Sequence, residues 1–266
     1  MIRNALAYVS ADTFVFLRLL ISAIIFFFFT LPLFRHTNKN IFSIGLMLGL
    51  LNGISYFAQT EGLRTISSAE SAFITSSCVV LIPILLPLFK LGKPHRLEWL
   101  GILGCLAGLY FLTGANFKHM NIGVFITLIS SLATALSIVL LQKKSSLIPL
   151  QHVKLLTFYQ IFFAIMIPGS IGAFHHSLHL VVNMTVVMGL LYCALLSTCI
   201  TLFLQTKFQR DTTPTKTGII FTMEPVFATL FAVSFNSEPL TRSVLIGGAI
   251  IIISLLITEL KTFDRA

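Results

Sequence analysis

Tyr56-Phe-Ala-Gln-Thr-Glu-Gly-Leu-Arg-Thr-Ile-Ser-Ser-Ala-Glu-Ser-Ala-Phe-Ile-Thr-Ser76 closes one apolar run, turns through a polar link and enters another. A second stretch does the same: Leu202-Phe-Leu-Gln-Thr-Lys-Phe-Gln-Arg-Asp-Thr-Thr-Pro-Thr-Lys-Thr-Gly-Ile-Ile-Phe-Thr222. At an offset of 146 positions, Phe57, Gln59, Thr60, Arg64 and Ile74 fall on Phe203, Gln205, Thr206, Arg210 and Ile220. Ser67, Ser71, Ala72 and Ser76 fall on Thr213, Thr217, Gly218 and Thr222. So short a likeness takes its weight from its surroundings.

Those surroundings are apolar. Of 266 residues, 56% are hydrophobic and 10% charged, with mean hydropathy +0.95, whereas soluble domains average about 25% charged residues. This is the composition of an all-α polytopic membrane protein. The net charge of +9 then belongs to the loops facing the cytoplasm rather than to a nucleic-acid surface. Cys78, Cys105, Cys193 and Cys199 all lie in apolar runs without CxxC spacing, which makes them small packing residues.

Runs near spanning length predict helices at about 13–34, 41–59, 68–89, 97–115, 122–142, 153–173, 184–206, 216–235 and 240–260. The first is too long for a signal peptide and lacks a basic start and a cleavage site. Alternate links and the C-terminal tail carry thirteen Lys and Arg, the other links carry four, and Arg18 lies within the first run. This asymmetry predicts a cytoplasmic C-terminus and an exterior N-terminus. Five helix steps separate the two copies, and an odd number inverts the second relative to the first. Inverted repeats are a recurring plan of secondary transporters. The expected division is a first repeat over 1–118, with four visible helices, and a second over 119–266, with five. No helix visible before residue 13 corresponds to the first helix of the second repeat.

Three segments carry a family resemblance. Ala7-Tyr-Val-Ser-Ala-Asp-Thr-Phe-Val-Phe-Leu-Arg-Leu-Leu-Ile-Ser-Ala23 resembles the second-helix entry of EamA-type transporters of the drug/metabolite transporter superfamily. Gly62 to Ser76, followed by Val79-Val-Leu-Ile-Pro83, is similar to the same family. So are Met223-Glu-Pro-Val226, Ser237-Glu-Pro-Leu240 and Ile246-Gly-Gly-Ala-Ile250 near its end. The resemblance implies two inverted five-helix repeats around a central cavity that works by alternating access. It also implies that the last helix of each repeat, here 97–115 and 240–260, is peripheral and available for homodimer contacts. This sequence departs from the pattern in lacking the first helix. It is also asymmetric, with Cys78-Val79 in one copy where the other has Glu224-Pro225.

Glu224 is the sharpest single residue. A carboxylate at bilayer depth costs at least ~2.5 kcal/mol on insertion scales and normally faces a cavity or a partner. It either binds a substrate amine or carries a coupling proton, or it holds two helices together by hydrogen bonds. Pro225 beside it removes a backbone donor and frees a carbonyl one turn back. Asn52 and Tyr56 lie one turn apart on one face, suited to a polar ligand or, for Asn52 alone, to interhelical hydrogen bonding. Gly45, Gly49 and Gly53 form a GxxxGxxxG stripe for close helix approach, and Gly101, Gly104 and Gly108 do the same in 97–115, with a dimer face as one use. Ser76, Thr134 and Ser197 serve either a ligand or their own helix carbonyls. Tyr159 and Gln160 are similar cases. Arg18 is expected near the outer end of its helix, snorkelling or salt-linked to Asp12. Glu70 is expected either to form a gate with Arg64 or to begin a helix in solvent. His175, His176 and His179 cluster in a link, but no Cys, Asp or Glu lies near to complete a metal site.

No GxSxG, P-loop, GxGxxG or HExxH motif is present, so neither enzyme chemistry nor a cofactor is expected, and transport would draw on a gradient or run downhill. The reading is a secondary transporter of a bacterial-type inner membrane, exporting small polar or amphipathic metabolites (amino acids, amines, drugs), with proton coupling through Glu224. No mid-membrane Lys or Arg is expected, which argues against phosphorylated cargo. The rival is a non-transporting scaffold or a nine-helix remnant.

Overall fold

The computed structural model describes residues 5–113, 121–175, 183–227 and 242–259. All their regular structure is helical, and six segments are long and apolar enough to cross a membrane. The chain is an all-α, multi-pass integral membrane protein.

The first half contains α1 (Ala11–Thr30), α2 (Lys39–Gly62), α3 (Ser68–Ser76), α4 (Cys78–Leu88) and α5 (Arg96–Thr113). The second contains α6 (Ile122–Lys144), α7 (Val153–Ala164), α8 (Met166–Phe174), α9 (Met184–Tyr192), α10 (Thr201–Phe208), α11 (Pro214–Phe221) and α12 (Arg242–Glu259). A π-helical segment, Cys193–Ile200, joins α9 to α10 as one span. Several predicted spans are thus interrupted: 68–89 turns at Ser77, 153–173 at Ile165, and the helix of 216–235 begins as α11, turns at Thr222 and resumes at 223. The portions of the last two predicted spans beyond 227 and before 242 lie outside the described residues.

Helix starts follow the polar links. Asn38 accepts from the Ile41 N–H, and Asn121 accepts from Gly123 and Val124. Ser67 and Glu70 form a reciprocal capping box at α3. Thr213, the residue 146 positions after Ser67, caps α11 by accepting from Lys216 N–H. The two copies therefore share their capping position and a turn nine or ten residues after it, at Thr222 and Ser77.

Helix α6 shows the inversion directly. Its 23 residues span about 34 Å at 1.5 Å per residue. The first copy meets its start: Asn121 Nδ2 donates to Thr65 O at 2.9 Å, and Gly123 packs on Gly62 and Thr65. The second copy meets its end: Gln209 Nε2 donates to Ile138 O at 2.6 Å, and Arg210 donates to Ser145 O and Ile148 O. One doubled motif thus occupies both ends of the same helix, pointing in opposite directions.

The basic links gather at one end. His36 lies against His152 at 5.0 Å between ring centroids. Lys143 lies over Phe89, and Thr213 donates to Glu98. The Arg64–Glu61 ion pair (2.9 Å) is at the other end. Glu70 is engaged with its own cap and Arg64 with Glu61, so the expected Glu70–Arg64 gate does not form.

Glycines bring the helices close. A methyl group on Gly49 would lie 2.7 Å from Gln160 O, and one on Gly53 would lie 2.5 Å from Ala164 O. The stripe of α2 therefore seats α7 and α8 almost backbone to backbone, Gly45 meeting Tyr159. Gly104 faces Ser254, and Gly108 faces Gly247 and Ile251, so these glycines of α5 pack against α12 within the chain. They do not form an intermolecular face.

Candidate functional site

A cavity of about 530 Å³ opens between the two halves, within the ~300–1,000 Å³ range of small-molecule sites. From the first half, α1 contributes Arg18, α2 contributes Asn52, Ser55, Tyr56 and Gln59, and the α3–α4 break contributes Thr75, Ser76 and Cys78. From the second, α6 contributes Thr134 and Ser137. The π segment and its flanks supply Tyr192, Leu196, Ser197, Thr201, Leu202 and Gln205, while 220–227 supplies Met223, Glu224 and Phe227. Both copies of the doubled stretch wall this space, from opposite ends.

Arg18 corrects the sequence reading. It is 2% exposed and neither snorkels nor ends in solvent. Its Nε donates to Thr198 Oγ1 at 2.7 Å, and its Nη2 donates to Ser197 Oγ at 3.1 Å. Its guanidinium carbon sits 4.3 Å from the centre of the Tyr56 ring, a cation–π contact. Arg18 thereby joins α1, α2 and the π segment, and its place on the cavity wall overturns the expectation of no mid-membrane arginine.

The π segment explains why Arg18 turns inward. Hydroxyls in it and just after it satisfy carbonyls five residues back: Thr198 Oγ1 donates to Cys193 O at 2.9 Å, and Thr201 Oγ1, at the start of α10, to Leu196 O at 3.0 Å. Thr198 Oγ1 keeps a lone pair for Arg18. Single π turns in helical spans are frequent at functional sites.

Glu224 lies on the same wall and is exposed into the cavity. It forms no ion pair with Arg18; among the described residues the Arg64–Glu61 contact is the ion pair found. Pro225 is buried beside it and cannot donate to the carbonyl one turn back, next to the turn at Thr222. Counting by the 146-residue offset, Glu224 corresponds to Cys78 and Arg18 to Ala164, so each half supplies one charge that the other lacks.

A buried amide chain lies under the cavity floor. Ser137 Oγ donates to Asn52 Oδ1 (3.0 Å), Asn52 Nδ2 donates to Gln160 Oε1 (3.2 Å), and Gln160 Nε2 donates to Thr206 Oγ1 (3.0 Å). Asn52 is therefore at once interhelical glue and a lining residue. Gln160 is 1% exposed and stands behind Asn52, outside the lining. Ser55 bonds Ser130 and Thr134 at 3.0 and 2.7 Å. Ser76, Thr134 and Ser197 are on the wall. Tyr159 is not: its hydroxyl pairs with Thr37 Oγ1 at 3.0 Å, and its ring packs on Phe34, Phe42 and Phe163. Successive residues on a helix point about 100° apart, so Gln160 turns inward where Tyr159 turns toward the basic end.

The sequence reading missed Gln59, Ser137, Tyr192 and Gln205 on this wall. Gln59 and Gln205 were legible as an exact match between the two copies. His176 and His179 of the histidine cluster lie outside the described residues, and among those described no group of three metal-ligating side chains occurs.

The profile of the EamA-like transporter family matches residues 1–114 and 121–260. A protein of Archaeoglobus fulgidus described as an uncharacterized transporter is 30% identical over 220 residues, which is 83% of this chain and 70% of that protein. A solved crystal structure shares the fold with TM-score 0.78 at 14% identity, over 99% of this chain and 92% of that one. With both halves matched and the cavity walled by the paired motifs, the chain belongs to the EamA-like transporter family.

Proposed function

We propose that this protein is a secondary transporter that exports small polar or amphipathic metabolites, such as amino acids, amines and drugs, by alternating access. The cavity carries the reading. It brings a buried arginine, an accessible carboxylate, and amide and hydroxyl groups from both halves around one space of ligand size. Repeats 1–118 and 119–266 are the two moving units, meeting at α6 and at the cavity wall. Helix breaks at Ser77 and Thr222 supply places where each unit can bend. The gathering of the basic links at one end supports a cytoplasmic face there, with the C-terminus on that side of an inner membrane. The outward faces of α5 and α12, where Leu103 and Leu256 are exposed, are the proposed homodimer contact.

Glu224 carries the coupling proton in this reading. The test is uptake into inside-out proteoliposomes under an imposed pH gradient, with an amino-acid and amine panel. Wild type accumulates cargo, and Glu224→Gln retains downhill exchange but loses pH-driven accumulation. Accumulation undiminished in Glu224→Gln would sink the coupling role, and no movement of any cargo by wild type would sink the transport reading for these classes.

A further inference from the structure

We propose that Arg18 is the specificity-determining residue of the cavity and recognises a carboxylate on the cargo, so that carboxylate-bearing metabolites are preferred over their amides and over simple amines. The inference rests on the transporter reading and narrows its cargo. A guanidinium has five N–H donors in a rigid fork. Here Nε is engaged with Thr198, and Nη2 with the hydroxyl and carbonyl oxygens of Ser197 (3.1 and 3.4 Å). Nη1 makes no hydrogen bond among the described residues. Arg18 is 2% exposed, its side chain borders the cavity, and no carboxylate of the described residues pairs with it.

A buried cation is most stable with an anion in contact; Glu224 is near enough to act on Arg18 through space, but no carboxylate of the described residues reaches the fork. The protein supplies neutral hydroxyls on one side of the fork and the Tyr56 ring against its face, and the side chain borders the cavity. The neutral contacts fix the fork before cargo arrives, so a planar, two-oxygen acceptor meets an oriented donor without ordering a flexible side chain. Glu224 lies on the same wall but beyond ion-pair distance of Arg18. The anion site is left open and the wall retains a place for a cationic group. The cargo class that satisfies both is a compact carboxylate, with or without an amine.

The test uses purified full-length protein and matched probe sets: L-leucine, L-leucinamide and isopentylamine, and the corresponding phenylalanine and methionine series. Binding is read by thermal stabilisation in detergent, and transport by counterflow in proteoliposomes. Wild type should prefer the carboxylate over the amide in each responding set by about 10- to 100-fold, the scale of a charge-assisted hydrogen bond. Arg18→Gln should collapse that ratio towards one while leaving amine binding in place, and Arg18→Lys, which keeps the charge but not the fork, should recover only part of it. A merely structural strut would lower all probes alike and leave the ratio intact, which overturns the proposal. If Arg18→Gln does not fold, Arg18→Lys decides: a ratio below wild type supports the assignment and a ratio equal to wild type overturns it. Equal handling of carboxylates and amides by wild type overturns the Arg18 assignment while leaving transport standing. Chloride or inorganic phosphate competing as well as the carboxylates also overturns it, since the site would then hold a resident ion. If no probe of any set binds or moves, the transporter reading itself fails for these cargoes and this assignment falls with it.

Discussion

Arg18 Nε donates to Thr198 Oγ1 at 2.7 Å across 180 positions of sequence, tying α1 to the π segment of the α9–α10 span. Thr198 is fully buried and itself donates to Cys193 O, so the bond is part of a closed interior network. Replacing Thr198 with valine keeps the shape and removes the acceptor. The unsatisfied charged donor should cost about 1–3 kcal/mol, read as a lower thermal midpoint in detergent. Ser197→Ala should cost less, because Ser197 O still accepts from Nη2. An unchanged midpoint for Thr198→Val would show that the bond is not formed in the bilayer-extracted protein.

Close helix approach makes a second expectation. Gly49→Ala places a methyl group 2.7 Å from Gln160 O, a backbone atom that cannot step aside. The α2–α7 seam must open, and overpacking of this kind costs about 1–3 kcal/mol. At Gly248 the nearest atoms to an added methyl are side-chain carbons at 3.7 and 3.8 Å, ordinary contact. Gly248→Ala should therefore be nearly neutral, and the contrast in folded yield by fluorescence-detected size exclusion checks it.

Much of this was legible in the sequence, and particular residues show where legibility ended. The doubled stretch carries the inversion because its copies stand five helix steps apart, and an odd number reverses the second. Charge counting sorted the links because the Lys and Arg of cytoplasmic loops outnumber those of exterior ones. Arg18 escaped because position along a helix gives depth but not direction: what turns it inward is a π segment far along the chain, and the visible signal was only the hydroxyl run Ser197, Thr198 and Thr201. Tyr159 was misplaced for a related reason, since a neighbour of a buried glutamine on a helix points elsewhere. A dimer face stays open as one use of the α5 glycines in the sequence, because nothing local shows that α12 covers Gly104 and Gly108.

The capping box at α3 offers a local test of the repeat. Ser67 accepts from Glu70 N–H, and Glu70 returns a carboxylate to Ser67 N–H at 2.8 Å. Ser67→Ala removes one half of this exchange and should cost about 1 kcal/mol. Thr213→Ala, its counterpart, loses two longer, solvent-exposed bonds of 3.3 Å, one accepted from Lys216 N–H and one donated to Glu98, and should cost less. Equal losses in thermal midpoint would show that the two caps contribute alike despite their different geometry.

The amide chain permits the most demanding measurement. Asn52 accepts from Ser137 and donates to Gln160, and Gln160 donates onward to Thr206, so one line of hydrogen bonds crosses α6, α2, α7 and α10. Such chains are worth more than isolated pairs, because each removal leaves a buried amide unsatisfied. Asn52→Ala and Gln160→Ala should each destabilise by about 1–3 kcal/mol. The double variant should lose less than the sum, with a coupling of about 0.5–3 kcal/mol, since contacting residues are not additive. Asn52 also faces the cavity while Gln160 does not. Asn52→Ala should therefore alter cargo affinity beyond its effect on stability, whereas Gln160→Ala should act on affinity only through Asn52. Additive stability losses in the double variant would show that the two amides are independent, and the chain would then be two separate contacts.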